Sequence, residues 1–180
     1  MRESTMTEAV SISLAALLAA KDRRAVRQQA WLTQHGATLV SLTLVTPGPI
    51  KDSGRYRQVM TEAIASFASL CQARGWTVLA QQTFWLVTGP EALWALSDDA
   101  LSVKAATAAL EDSHALGRLW DFDIFSREEG LLGRSRLARR GRRCLVCEQE
   151  AHACSRSRRH ALPELLKHIE DMTNDYFAPV

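Results

Sequence analysis

The chain has 180 residues, 47% hydrophobic and 23% charged, with a formal net charge of +2. That is the make-up of a globular chain with its own core, and it excludes a collagen, a coiled-coil rod and a disordered tail; no apolar run approaches the ~20 residues that span a bilayer. The charge is uneven: from Arg127 to His160 there are ten arginines, no lysine and four glutamates, a net +6 that leaves −4 for the rest, so one region suits an anionic partner.

Residues 1–9 read as a disordered tail. Ala9 to Ala20 has the apolarity of a leader, yet Glu3 and Glu8 stand where a leader is basic. Leu14, Leu17, Leu18, Ala25 and Val26 recur at helical spacing, which predicts an amphipathic helix in a cytoplasmic protein. Ser11 or Ser13 caps it, and it runs to about His35 before Gly36. Thr38 to Val45 alternates and is β-branched, so a strand is expected there, stopped by Thr46-Pro47-Gly48-Pro49. Asp52 or Ser53 caps a second helix reaching about Arg74. Trp76 to Thr88 reads as extended, as one strand or two, broken by Gly89-Pro90. Asp98 or Asp99 caps a third helix through about His114, ended by Gly117. Leu119 to Phe125 is a strand, with a hairpin turn at Gly130. An irregular Cys- and Arg-rich stretch follows, and Pro163 opens a closing helix from Leu162 to about Tyr176. Helices and strands alternate, which predicts an α+β (mixed α/β) fold in a single domain over 1–180. A central sheet carries long helices, and 139–160 forms a Cys/Arg-rich sub-region.

The strand Leu119 to Phe125 is the most informative. Alternation puts Trp120, Phe122 and Ile124 on a core face and Asp121 and Asp123 together on the other. Two carboxylates on one strand face repel, and strands disfavour aspartate. A divalent cation between them removes both costs, and Mg²⁺ favours one or two carboxylates plus phosphate oxygens. A solvated strand edge is the alternative reading. Glu111 and His114, three apart on the preceding helix, share a face near its C-terminal end. Glu111 can add a metal ligand there, and His114 can act as a base or sit as a cation at the helix C-terminus.

Gly48 allows close backbone approach to a ligand. Lys51 stands just before a helix N-terminus, an arrangement that favours a bound anion. Lys21, Arg23, Arg24 and Arg27 form a basic cluster on the first helix, with Arg23 and Arg27 on one face, either solvated or binding phosphate. Among the cysteines, Cys71 lies on an apolar helix face and reads as core. Cys144, Cys147 and Cys154 with His160 have the spacing of a Cys₃His zinc site, with His152 an alternative fourth ligand and free thiols the alternative state. Arg139, Arg140, Arg142, Arg143, Arg156, Arg158 and Arg159 surround them.

Four blocks resemble one family: Gly117-Arg-Leu-Trp-Asp-Phe-Asp123, Val45 through Pro47-Gly-Pro-Ile-Lys-Asp-Ser53, Arg142-Arg-Cys-Leu-Val-Cys-Glu148 and Arg27-Gln-Gln-Ala-Trp-Leu32. The sequence is similar, from about Val10 to Asp175, to the citrate lyase holo-acyl-carrier-protein synthases, also called apo-citrate lyase phosphoribosyl-dephospho-coenzyme-A transferases. The resemblance implies a nucleotidyltransferase-type enzyme of bacterial citrate fermentation. Its donor is 2′-(5″-triphosphoribosyl)-3′-dephospho-coenzyme A, its acceptor a serine of the acyl carrier (γ) subunit of citrate lyase, and its by-product pyrophosphate. It supports Asp121 and Asp123 as the motif pair holding Mg²⁺. Beside it, the residues themselves suggest Lys51, Arg118, Gly117, Gly48, Arg23 and Arg27 as the donor site, and His114 or Glu111 as the group that meets the serine.

The alternatives are the related transferase for the malonate decarboxylase carrier and a zinc-stabilised basic binding module. The Pro-Gly-Pro-Ile-Lys loop and the Cys-rich block favour the citrate lyase type. A nucleic-acid module would interleave aromatic residues with its basic ones, and Arg127 to His160 contains none. No nucleic-acid or membrane partner is expected.

Overall fold

The computed structural model describes residues 10–137 and 141–179. The expected tail at 1–9, and Arg139 and Arg140, lie outside the described residues. Helix α1 (Leu14–His35) starts where the Ser13 hydroxyl accepts from Ala16 N at 3.2 Å, so Ser13 and not Ser11 is the cap. α2 (Gly54–Arg74) is capped by Ser53, whose hydroxyl accepts from Tyr56 N, while Asp52 is taken by Arg57 at 2.7 Å. α3 (Ala100–Ser113) is capped by Asp99, which accepts from Ser102 N at 2.8 Å, while Asp98 instead accepts from Thr77 N. Each choice went to the residue whose side chain reaches an orphan N–H of the first turn.

Five antiparallel strands form one sheet in the order β2 (Val78–Phe84), β3 (Glu91–Leu96), β1 (Thr38–Leu44), β4 (Trp120–Ser126) and β5 (Gly130–Leu132). The expected α+β arrangement of helices on a central sheet is present. Strand β3 was not legible in the sequence. All six of its residues are buried, because β1 and β2 flank it and both sheet faces are covered. Such a strand shows no polar alternation to read. Trp76 to Thr88 yields the single strand β2, followed by a turn.

Opposed residues of an antiparallel pair share a face. Val40, Leu42, Trp94, Phe122, Ile124 and Trp120 therefore lie on one side, and they pack against Val59, Met60, Ala63 and Phe67 of α2 and Ile169 of α5 (Leu162–Phe177). Phe67 meets Trp94 and Phe122 at ring separations of 4.8 and 5.4 Å. The other face carries Ser41, Thr43, Glu91, Asp121 and Asp123, and α1 lies across it. Its approach is polar: Gln28 donates to Ser41 Oγ at 2.9 Å, and Arg24 and Arg27 pair with buried Glu91. The apolar stripe of α1 points outward, with Leu14, Leu18 and Val26 more than half exposed.

Strand β5 pairs only with the end of β4, at Ile124 to Ser126. Where it stops, α3 completes the ladder with side chains. Buried Lys104 donates to Phe122 O at 2.8 Å, and Phe122 N donates to Glu111 Oε1 at 2.7 Å. Arg142 donates to Trp120 O. The edge that would otherwise expose unpaired backbone is closed by three charged groups.

Candidate functional site

Asp121 and Asp123 project side by side from β4, opposite Thr43 and Ser41 of β1. Burial, and after it the neighbouring Asp121, push the Asp123 carboxyl up to about 6; Lys104 and Arg24 act against this and Glu111 adds to it. The two carboxylates are thus held together against their repulsion, in surroundings where Lys104, Arg24 and Arg142 supply only part of the compensation. Asp121 Oδ1 accepts from Arg142 Nη1 at 2.7 Å. The donor set, two carboxylates on one strand face with threonine and serine hydroxyls opposite, fits a hard cation bound partly by phosphate.

Three cavities meet at Asp121. The largest, about 1000 Å³, lies between the Pro47-Gly48 loop, the Arg142-to-Cys144 segment and the start of α5, and Lys21, Arg118, Arg142, Arg143 and Arg158 line it. A second, about 250 Å³, is bounded by Lys21, Arg24, Thr43, Thr46, Lys51 and Glu91. The third, about 360 Å³, contains Lys104, Glu111, Asp123, Arg134 and Arg142. Cations dominate the first two. Burial, then the nearby Lys21, lower the pKa of Lys51, which donates to Thr46 O. Burial and then Arg143 and Arg142 lower that of Arg118, and its Nη2 is buried with no hydrogen-bond partner among the described residues. Packing like charges around empty space is unfavourable unless an anion enters. Gly48 has φ +80°, and a Cβ on it would come within 3.2 Å of Leu162, so glycine keeps this wall open.

A model of the family described as apo-citrate lyase phosphoribosyl-dephospho-CoA transferase matches residues 12–176. The chain belongs to that family. Among relatives named apo-citrate lyase phosphoribosyl-dephospho-CoA transferase, one from Citrobacter koseri is 41% identical over 165 residues, covering 92% of this chain and 90% of its own length. One from Escherichia coli O1:K1 and one from Shigella flexneri serotype 5b are each 40% identical over the same share. The family resemblance carried by the Gly117–Asp123, Val45–Ser53 and Arg142–Glu148 blocks is therefore correct, and all three blocks converge in space. The first supplies Asp121 and Asp123, the second Lys51 and Gly48, the third Arg142, Arg143 and Cys144.

Not every residue singled out from the sequence of this family member reaches the site. Glu111 does, but as a brace: its Oε1 accepts from Phe122 N and its Oε2 from Arg134. His114 does not. It is the residue after α3, stacked on Trp120 at 4.3 Å on the core side of the sheet, with Nδ1 accepting from Leu116 N and Glu62 and Tyr176 beside Nε2. Burial lowers its pKa, with Glu62 opposing. Its spacing from Glu111 puts the two near one helix face, but α3 ends between them, and the His114 ring is taken up by Trp120 instead. Gly117 lines none of the three cavities; it packs on the Glu111 carbonyl. Arg23 is exposed, and Arg27 is engaged by Glu91 and lies over the Phe84 ring at 4.8 Å. The residues of α1 that face the aspartates are Lys21 and Arg24, one helical phase away. Arg134, Lys104 and the pairing of Arg142 with Asp121 were missed, since nothing in local spacing announces a contact across 21 residues.

A separate group of donor atoms lies beside the large cavity. Cys144, Cys147, Cys154 and His160 bring their ligating atoms within 4.8 Å of one another, a set able to hold a metal ion. Among the described residues no helix is long and apolar enough to cross a membrane.

Proposed function

We propose that the protein transfers the phosphoribosyl-dephospho-coenzyme-A group from 2′-(5″-triphosphoribosyl)-3′-dephospho-coenzyme A to a serine of the apo acyl carrier subunit of citrate lyase, releasing pyrophosphate. The observation that carries this reading is the meeting of three cavities at one aspartate, two of them walled by cations, in a chain whose relatives bear that transferase name. A polyphosphate donor and a hydroxyl acceptor need such a junction.

In this reading the serine Oγ attacks the α-phosphorus of the donor. A new P–O bond forms as the bond to the pyrophosphate oxygen breaks, and the hydroxyl proton departs. Lys21 and Lys51 receive the leaving phosphates in the smaller cationic cavity. Arg118 and Arg143 hold the remainder of the donor in the larger one, whose apolar lining from Leu145, Leu162 and Leu165 suits its organic part. Asp121 and Asp123 would hold Mg²⁺, which when bound neutralises charge at the phosphate under attack and on the leaving group. Glu111, Lys104 and Arg134 fix the strand that presents the two aspartates. The exposed Arg156, Arg158 and Arg159 offer a docking face to an acidic carrier. Of metals for the cysteine cluster, zinc suits the soft Cys₃His set, and a thiol cluster of this kind belongs in a reducing cytoplasm.

Intact mass spectrometry of the apo carrier after incubation with enzyme, donor and Mg²⁺ tests the reaction. A gain of the phosphoribosyl-dephospho-coenzyme-A mass is expected on the citrate lyase carrier. A gain confined to the malonate decarboxylase carrier would reassign the acceptor, and no gain on either would overturn the reading. Lys51→Ala should lower kcat/KM for the donor by ~10–100-fold, the loss of one charge-assisted hydrogen bond of about 1.5–3 kcal/mol. Steady-state kinetics at varied donor concentration would register that loss, and leave the apparent KM for the carrier unchanged.

A further inference from the structure

The segment from Arg142 to His160 has almost no core of its own. Cys144 and Cys154 are its buried side chains, with Leu145 partly buried against the main core. Its helix α4 (Ala151–Ser157) has seven residues and no side-chain N-cap bond. So short a helix is marginal in water without a tether. Yet the segment is well ordered in hydrogen-bond terms. Ala151 N donates to Arg142 O at 2.8 Å and Cys144 N to Gln149 O at 2.6 Å, folding a knuckle around Cys144 and Cys147. Arg158 takes a left-handed conformation, φ 47°, and this turn brings His160 back toward that knuckle.

The four donors come from three places: the knuckle, α4 and the turn before α5. Cys147 Sγ stands 3.5 Å from Cys154 Sγ, and His160 Nε2 stands 3.3 Å from Cys147 Sγ. A tetrahedral site with Zn–S bonds of ~2.3 Å and a Zn–N bond of ~2.0 Å sets its donors roughly 3.5–3.8 Å apart. The second ring nitrogen gives an independent sign. His160 Nδ1 faces Glu164 Oε1 at 3.2 Å. A carboxylate on the far nitrogen of a metal-binding histidine holds the proton there and leaves Nε2 bare for the ion.

We infer that Cys144, Cys147, Cys154 and His160 bind one Zn²⁺ in a closed structural site, and that this ion latches the arginine wall of the large cavity, the latter resting on the transferase reading above. Four protein donors leave no open position for catalysis. The connection to the cavity is direct. Cys144, Cys154 and His160 line it themselves. Arg142 and Arg143 immediately precede Cys144, and Arg142 bonds Asp121 and Trp120 O. Three thiolates around one divalent ion carry one net negative charge, placed among Arg118, Arg142 and Arg143. Neutral thiols would leave those guanidinium groups to repel one another.

Metal analysis of the full chain, purified under reducing conditions without chelator, should find about one zinc per chain. Cys147→Ser should lose it. Glu164→Gln, an exposed change that leaves the four donors in place, should keep the fold and bind zinc ~10–100-fold more weakly. Hydrogen exchange of residues 142–160 should speed up on zinc removal and recover on zinc addition. Absence of zinc together with failure to take it up would overturn the site; unchanged exchange on removal would overturn the latch. 3′-Dephospho-coenzyme A, the part of the donor assigned to the large cavity, titrated into the zinc-loaded protein reads that cavity separately. Loss of its affinity on zinc removal supports the coupling, and equal affinity in both forms overturns it. No binding even with zinc in place would count against the transferase reading, and metal content with exchange would still decide the site and the latch.

Discussion

Asp123→Asn is expected to abolish transfer and, in the absence of added magnesium, to make the protein more stable at neutral pH. The two effects have one cause. Asp123 ionises only at about 6, against 3.8 for an ordinary aspartate, because it is buried and stands beside Asp121. A carboxyl whose folded pKa is raised contributes stability that is present below the unfolded value, near 4, and lost as pH rises through 6. At pH 7.5 the wild type therefore carries a penalty of about 2–3 kcal/mol, which the neutral amide escapes. For a chain of this size that is a rise in Tm of roughly 5–10 °C. The difference should vanish near pH 4, where wild-type Asp123 is itself protonated. Activity moves the other way, because the amide cannot help hold a cation against the donor phosphates; a loss of about 10³-fold or more is expected. Asp121→Asn should lose transfer to a similar degree, but without the same gain, since it also weakens the bond to Arg142. Thermal unfolding at the two pH values, with carrier mass spectrometry on the same samples, checks both halves. Near-wild-type turnover in Asp123→Asn would remove the aspartate from the chemistry.

Much of the framework was legible because local chemistry dictates it. Ser13, Ser53 and Asp99 open their helices, and Trp120 to Ile124 alternates cleanly because one sheet face is packed and the other is polar. What stayed hidden was hidden for definite reasons. β3 is covered on both faces and reads as an apolar run with a glutamate, and only the packing of α1 shows that Glu91 is satisfied by Arg24 and Arg27. The hydrophobic stripe of α1 suggests an inward face, yet Leu14, Leu18 and Val26 point to solvent, and it is Arg24, Arg27 and Gln28 that meet the sheet. Arg23 and Arg27 share a face at i and i+4, yet the residues of α1 that line the small cavity are Lys21 and Arg24. The clustering of Cys144, Cys147, Cys154 and His160, by contrast, was readable, because donors close together along the chain form a local pattern. The bonds of Arg134 to Glu111 and of Arg142 to Asp121 are long-range and leave no trace in spacing.

The glycine of the Gly-x-x-x-Asp-x-Asp element invites a phosphate-binding role, but its surroundings point to packing, and Gly117→Ala should be among the most damaging single changes in the chain. A Cβ at 117 would stand 2.4 Å from Glu111 O, 2.8 Å from Glu111 C and 2.9 Å from Glu111 Cα. These are backbone atoms of the last turns of α3, so no side-chain rotation relieves the clash. The turn is tight by necessity. Gly117 N donates to His114 O at 2.9 Å and Leu119 N to Leu116 O at 2.9 Å, bending the chain from α3 straight into β4. The same close approach lets Glu111 reach Phe122 N, so forcing the two segments apart would shift the strand bearing Asp121 and Asp123. A loss of about 3 kcal/mol or more is expected, at the upper end for overpacking because backbone and not side chain must move. The protein that still folds should transfer slowly, with its aspartates displaced. Gly54→Ala is the matched control: nothing lies within 4 Å of its Cβ position, at the first residue of α2, and its stability should equal the wild type or slightly exceed it. Urea denaturation of both variants, with transfer rates measured on the folded fraction, separates the two glycines. A Gly117→Ala protein as stable and as active as wild type would mean that α3 and β4 are free to move apart, and that the position of the aspartates does not depend on this contact.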